Sequence, residues 1–303
     1  MYRIADAHSD FLAFSTLGEL GGRLYNHADI ERMEAGGVVL QNLAVWGPAG
    51  HEVPEAAGMT QIRYLHALAS QNSSVRICTR PEHLTLNQGI WAFLSIESGE
   101  SIGCRISNIQ KVYDLGARML SLTWNDENAF ASGCMAIGGL KPDGIKAVDE
   151  LNRLNMALDV SHINEQGFWE AVERYQHIPC ASHSCVYDLC AVPRNLKRDQ
   201  IDYIISRGGF IGINFYTEFL RGQRTAYIND ILDHIEYVLE RGGEDAVGFG
   251  SDFCGIEYTP EGLNSAAYFQ RLPEAMERRG YPNSLIKKIC YGNFARYVLE
   301  FLH

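Results

Sequence analysis

VVLQNLAVW, residues 38–46, is apolar along nearly its whole length. A strand with one face in water alternates apolar and polar residues, so this run fits a strand covered on both faces, as in a parallel sheet flanked by helices. WAFLSI (91–96) and FIGINFY (210–216) read the same way. Working outward, the β-rich runs are Arg3–His8, Val38–Trp46, Ile90–Glu97, Met119–Asn125, Ala157–His162, Pro179–Ser182, Phe210–Phe215 and Ala246–Gly250. Between them Pro54–Gln71, Asp143–Asn155, Glu165–Tyr175, Arg198–Ser206 and Tyr227–Arg241 carry apolar residues at helical steps. The last of these ends on a glycine stop in DHIEYVLERGG. Eight β-runs, each followed by a crossover, predict an α/β fold: a (β/α)8 barrel of the TIM type rather than an open sheet. Glu261–Arg279 and Asn283–Leu302 are expected as two further helices packed outside it. No linker, charge block or repeat divides the chain, so residues 1–303 read as one domain.

Composition excludes several classes of function. With 46% apolar and 21% charged residues the 303-residue chain is neither disordered nor fibrous. Its 37 acidic against 26 basic residues give a formal charge of −11 with no basic block, which argues against nucleic acid or an anionic membrane as partner. No apolar run approaches the roughly 18–20 residues of a membrane span. The opening MYRIADAHSD lacks the charged start and apolar stretch of a signal peptide, so cytoplasmic residence is expected. The eight cysteines contain no C-x-x-C pair and read as buried, reduced thiols.

The ends of the strands carry the chemistry. The first runs into Asp6-Ala7-His8-Ser9-Asp10, the third into Ile96-Glu97-Ser98, the fifth into Asp159-Val160-Ser161-His162, the sixth into Ser182-His183, and the eighth into Ser251-Asp252. His8 and Asp10 are two residues apart, so in extended chain both point to one side. In a barrel these termini share one rim, where active sites of the fold are built. Any one such residue is ordinarily a turn former or a helix cap. Six ionisable groups crowded on one rim would repel and desolvate one another unless a cation neutralised them, so a metal site at His8, Asp10, Glu97, His162 and His183 is the reading. Imidazole and carboxylate without thiolate indicate zinc, or manganese or cobalt. Five ligands exceed one tetrahedral site and suit two ions about 3.5–4 Å apart, sharing Glu97 and holding a water or hydroxide between them. A lysine-derived bridge is excluded, because none of the six lysines ends a predicted strand. Asp6, Asp159 and Ser182 are candidates to orient the histidines, with the choice open. His27, His51, His66, His83, His177, His234 and His303 are read as surface or packing residues.

These pieces match a known pattern. DAHSD (6–10), SIESG around Glu97, SLTWN (121–125), DVSH (159–162), ASHS with PRN (181–184, 193–195), GINFY (212–216), GFGSDF (248–253) and PEGL (260–263) follow one another over nearly the whole chain. In that order the chain resembles the membrane (renal) dipeptidase family of binuclear zinc peptidases. The resemblance implies that His8, Asp10 and Glu97 hold one zinc and Glu97, His162 and His183 the second. It implies Asp252 as the catalytic acid/base and Arg194 as the clamp on the substrate's carboxylate. Tyr216 then lines the pocket; the oligomeric state stays open, with a homodimer one option because relatives often dimerise. Three positions depart from the pattern: Trp124 stands where mammalian members have a substrate-contacting histidine, Cys254 where a second aspartate is common, and Trp46 near a pocket tyrosine. An indole can donate one hydrogen bond but cannot titrate. The expected reaction is hydrolysis of dipeptides bearing a free carboxylate. The alternative is a barrel amidohydrolase cutting another C–N bond, such as a cyclic amide, a lactam or an N-acyl amino acid. A barrel that has lost catalysis is disfavoured, since every expected ligand is present.

Overall fold

The apolar runs form strands that pair only in parallel in a computed structural model, which describes residues 1–18, 25–47, 54–85 and 89–303. They are β1 (Ile4–Asp6), β2 (Val38–Val45), β3 (Val75–Ile77), β4 (Ile90–Ile96), β5 (Ala117–Ser121), β6 (Ala157–Asp159), β7 (Cys180–Ala181), β8 (Phe210–Ile213) and β9 (Val247–Phe249). Hydrogen bonding runs β1–β2–β4–β5–β6–β7–β8–β9 and back to β1. The eight-stranded barrel therefore closes, as the alternation of strands and crossovers predicts. β4 is buried at every residue, which its unbroken apolar run requires.

β3 is a ninth strand that periodicity did not reveal. Its three residues pair with the start of β4 (Val75 with Ile90, Ile77 with Ala92), and β5 takes over the same edge from Leu94 onward. A three-residue strand is too short to display a period.

The crossover helices at Pro54–Gln71, Pro142–Leu154, Glu165–Arg174, Arg198–Ser206 and Ile228–Glu240 lie within a residue or so of their expected bounds. Helices at Phe11–Leu17, Ile30–Ala35, Ile106–Asp114 and Thr217–Arg221 were not anticipated. Asn164 caps the helix that follows β6, accepting from Gly167 N at 2.8 Å.

The C-terminal region corrects an expectation. Residues 261–279 are helical only at Ala266–Tyr268 and Arg271–Arg278. Residues 283–302 are not one helix but Asn283–Lys287, a π turn at Lys288–Gly292, and Asn293–Leu299. Nor does the last helix pack outside. Phe294, Tyr297, Val298 and Phe301 share a core with Ala5, Leu40, Trp91, Phe93, Met119, Ala157 and Phe210 from six strands. Phe294 lies edge-on to Phe93 with ring centroids 6.1 Å apart and 5.0 Å from Phe210. The helix thus stoppers the barrel at the end opposite the polar strand termini. Each fully buried side chain of this size contributes about 1.5–3 kcal/mol. Asn293 pins the stopper through bonds to the carbonyls of Val247 and Glu244 (2.8 and 2.9 Å).

All eight cysteines are unpaired, six of them buried. Among the described residues no helix is long and apolar enough to cross a membrane.

Candidate metal centre and substrate cavity

At the C-terminal ends of the strands, tight turns aim polar side chains inward. His162, after β6, and Asp252, after β9, have φ of 71° and 60°, and Ser98 beside Glu97 has 68°. The left-handed region is costly for residues with a Cβ, so its recurrence at strand ends marks backbone bent to point side chains at one place.

That place is a cage. Glu97 lies between the imidazoles, with Oε2 3.3 Å from His8 Nε2 and Oε1 2.9 Å from His162 Nε2 and 3.8 Å from His183 Nε2. His8 Nε2 also faces Asp10 Oδ2 at 3.7 Å and Asp252 Oδ1 at 3.8 Å. His162 and His183 bring their Nε2 atoms to 2.8 Å, and the rings of His8 and His183 stack with centroids 3.6 Å apart. Two overlapping groups, His8–Glu97–His183 and His8–Asp10–Asp252, each gather ligand atoms within 4.8 Å of one another. All six side chains are therefore together, as their strand-end positions predicted.

The donor set suits metal. Among the described residues, the buried polar atoms with no hydrogen-bond partner include His8 Nδ1, His8 Nε2, Asp10 Oδ1 and Glu97 Oε2. Leaving such atoms bare costs roughly 1–3 kcal/mol each, so this much orphaned polarity in one cage argues for a cationic occupant. Gly255 closes the cage from above, where a Cβ would fall 2.0 Å from Asp10 Oδ2 and 2.8 Å from Asp252 Oδ1.

Electrostatics follow from burial. Burial pushes Asp10 and Asp252 up to about 6 and about 7, each raised further by Glu97 and eased by His8. Burial opposes protonation of His8, yet Glu97 and Asp10 hold it well above the ordinary histidine value. His162 is held well below that value by burial and then by Arg194 and His8, and His183 by burial and then His8 and Arg194. Both are thus neutral imidazoles, the form that binds metal.

The orienting groups divide as follows. Asp159 accepts from the backbone of Ser161 and Ser182 on Oδ1 (3.0 and 2.9 Å) and from the Ser182 hydroxyl on Oδ2 (2.5 Å). That hydroxyl lies 2.7 Å from His183 Nδ1. Asp6 does a different task from the one expected: no ring of the cage touches it. Its carboxylate takes Ser251 N at 2.7 Å, Ser251 Oγ at 2.6 Å and Gln41 Nε2 at 2.9 Å, tying down the turn that carries Asp252.

Sequence reasoning missed two asparagines. Asn125 Oδ1 lies 2.8 Å from His162 Nδ1, and Asn214 Nδ2 donates to Asp252 Oδ2 at 2.8 Å. Both sit inside quoted motifs, SLTWN and GINFY, where a polar residue in an apolar strand was the available signal.

A cavity of about 390 Å³ opens above the cage. Asp10, Glu97, His162 and Asp252 form its floor, and Trp46, Trp124 and Tyr216 are in its wall, as anticipated. Tyr25, Phe219, Ile256 and Glu257 also line it and were not anticipated. Trp124 packs edge-on to Trp46 at 5.7 Å and 6.1 Å from His162. The Trp46 backbone is held by buried Gln61, which accepts from its N–H at 3.0 Å and donates to its carbonyl.

Arg194 stands behind this wall rather than in it. Its Nε lies 3.2 Å from His162 Nδ1, while Nη1 donates to Ser184 Oγ (2.8 Å) and Nη2 to the His183 carbonyl (2.9 Å). Cys254 is buried, its thiol 3.8 Å from the Ala28 carbonyl. Of the remaining histidines, His234 is buried between Val186 N and the Leu220 carbonyl, and His83 stacks on Trp91. His51 lies outside the described residues.

With this geometry established, comparison with known proteins identifies the lineage. The profile described as membrane dipeptidase (peptidase family M19) matches residues 2–301. An uncharacterized dipeptidase of Schizosaccharomyces pombe is 32% identical over 212 residues, 67% of this chain and 51% of that protein. The chain thus spans about half the length of that relative. An uncharacterized protein in the pqqA 5′ region of Klebsiella pneumoniae is 35% identical over 201 residues, 62% of this chain and 74% of its own length. In fold, the chain is similar to a metallo peptidase from Rhodobacter sphaeroides crystallised with a phosphinate mimic of the dipeptide L-Ala-D-Ala. The TM-score is 0.90 at 24% identity, over 100% of this chain and 99% of that one.

Proposed function

Because the chain belongs to the membrane dipeptidase family, we propose that it is a binuclear zinc dipeptidase acting on dipeptides with a free C-terminal carboxylate. The observation that carries this reading is the placement of Glu97, one carboxylate with an oxygen toward His8 and the other toward His162 and His183. His8, Asp10 and Glu97 would hold one ion, and Glu97, His162 and His183 the other. When bound, two such ions supply a nucleophile from water at neutral pH and withdraw charge from the scissile carbonyl.

The chain's own groups then divide the work. Asp252 Oδ2 is occupied by Asn214, which leaves Oδ1, the oxygen facing His8, to take the proton of the attacking water and pass it to the departing nitrogen. Burial raises this carboxyl in the metal-free protein, the direction that favours its accepting a proton. Arg194 is held behind the wall by Ser184 and the His183 carbonyl, and its uncommitted N–H groups would receive the substrate's carboxylate once the wall in front of it rearranges on binding. Trp46, Trp124 and Tyr216 would flank the side chains. The free thiols support residence in a reducing compartment, the cytoplasm.

The test is metal-reconstituted protein assayed on a stereochemically varied dipeptide panel beside C-terminal amides and cyclic amides, with metal quantified on the same sample. Cleavage of dipeptides with about two zinc ions per chain is expected. Cleavage confined to cyclic or N-acyl amides would replace this reading with the amidohydrolase alternative. Glu97→Gln should lower both metal content and rate, whereas Asp252→Asn should keep its metal and lose activity by about 10²–10⁴-fold. An active Asp252→Asn protein would remove that residue from the mechanism.

A further inference from the structure

The cavity wall holds a combination that the cleavage reaction does not use. Aromatic faces from Tyr25, Trp46, Trp124, Tyr216 and Phe219 surround it, and among the described residues Glu257 is the sole carboxylate in the wall outside the cage. Among the described residues, no lysine or arginine lines the cavity. Glu257 is exposed to solvent, so it stands at the mouth rather than on the floor. Two bound zinc ions would offset the charge of Asp10 and Glu97, but among the described wall residues no cation offsets Glu257, whose hydrogen-bond partner is the neutral Tyr258 hydroxyl. Aromatic faces with a single carboxylate are the chemistry that receives a cation, through cation–π attraction along the faces and an ion pair at the end. Gly255, in the loop that carries Glu257, packs against Asp10 and Asp252, whereas Arg194 lies against His162 and the His183 carbonyl, so that loop and the clamp flank opposite sides of the cage, and the loop faces the substrate end away from the clamp.

Resting on the dipeptidase reading, we propose that Glu257 is a specificity-determining residue that selects dipeptides whose N-terminal residue carries a cationic side chain, lysine or arginine. The stem of such a side chain lies along the indole and phenol faces while its charged head meets Glu257 in water.

The matched pair Lys-Ala and norleucine-Ala isolates the charge, since the two stems have the same length. Wild-type enzyme loaded with zinc should show a kcat/KM for Lys-Ala about fivefold or more above that for norleucine-Ala, the size of an exposed ion pair supplemented by cation–π contact. The preference should shrink as salt is raised from about 20 to about 500 mM, because the screening length between exposed charges falls from roughly 20 Å to about 4 Å. Glu257→Gln should raise KM for Lys-Ala while leaving kcat, and both constants for norleucine-Ala, within about twofold. Glu257→Lys should invert the preference. Equal kcat/KM for the two peptides in wild type, or equal losses on both in Glu257→Gln, would overturn the assignment while leaving the dipeptidase reading intact. Failure of the zinc-loaded enzyme to cleave either peptide or any of the wider dipeptide panel would overturn both.

Discussion

Replacing Ser182 by alanine tests how the cage selects the metal-binding form of His183. The hydroxyl donates to Asp159 Oδ2 at 2.5 Å, so toward His183 Nδ1, 2.7 Å away, it can only accept. The proton of the imidazole is therefore fixed on Nδ1, and the Nε2 lone pair is turned toward the cage. In Ser182→Ala, Asp159 keeps the two backbone donors on Oδ1, at 3.0 and 2.9 Å, so the carboxylate is not stranded. The loss in stability should accordingly stay near 1–2 kcal/mol, about that of one or two hydrogen bonds. His183, by contrast, loses the group that sets its tautomer, and zinc affinity should fall about 10- to 100-fold. Urea unfolding of the metal-free protein measures the first quantity, and competition with a chromophoric chelator the second. Ser161→Ala is the control, since that hydroxyl reaches only the Ser182 hydroxyl and the His183 backbone N–H. Zinc affinity within about twofold of wild type in Ser182→Ala would refute the tautomer argument.

Three further outcomes are expected. Gly255→Ala places a methyl 2.0 Å from Asp10 Oδ2, so it should displace that carboxylate and lower metal content, read by elemental analysis of the purified variant. His27 accepts from Cys254 N and is held down at about 4, first by burial and then by Arg32, so its folded value lies below its unfolded one. Stability from this group is therefore present above about pH 6.5 and lost as pH falls toward 4, and wild type should lose about 2 kcal/mol more than His27→Gln between pH 7 and 5 in urea titrations. Phe294→Ala empties the stopper between Phe93 and Phe210 and should cost about 3–5 kcal/mol, seen as an earlier urea midpoint.

The barrel and its cage were legible because strand ends announce themselves twice, by an apolar run and by the ionisable residue that stops it. Residues such as His8 and Asp10, two apart on one strand, need only local geometry to be placed. The orienting groups were harder. Asn125 and Asn214 act on His162 and Asp252, which lie 37 and 38 positions further along, and no spacing encodes that pairing. Tyr25 and Glu257 reach the cavity from loops without any period. The last helix was misplaced for a physical reason: its apolar face fits a barrel exterior and a barrel mouth equally well. Only the large inward side chains of β4, Trp91 and Phe93, together with Phe210 of β8, reveal that the mouth needed filling.

The stopper also sets an order of events during synthesis. All nine strands precede Asn293–Leu299 along the chain, so a ribosome delivers the whole rim of metal-seeking groups before the plug for the opposite end exists. Until Phe294 and Tyr297 emerge, the nascent vessel has an apolar floor open to water, and it should depend on chaperones at that stage more than at any other.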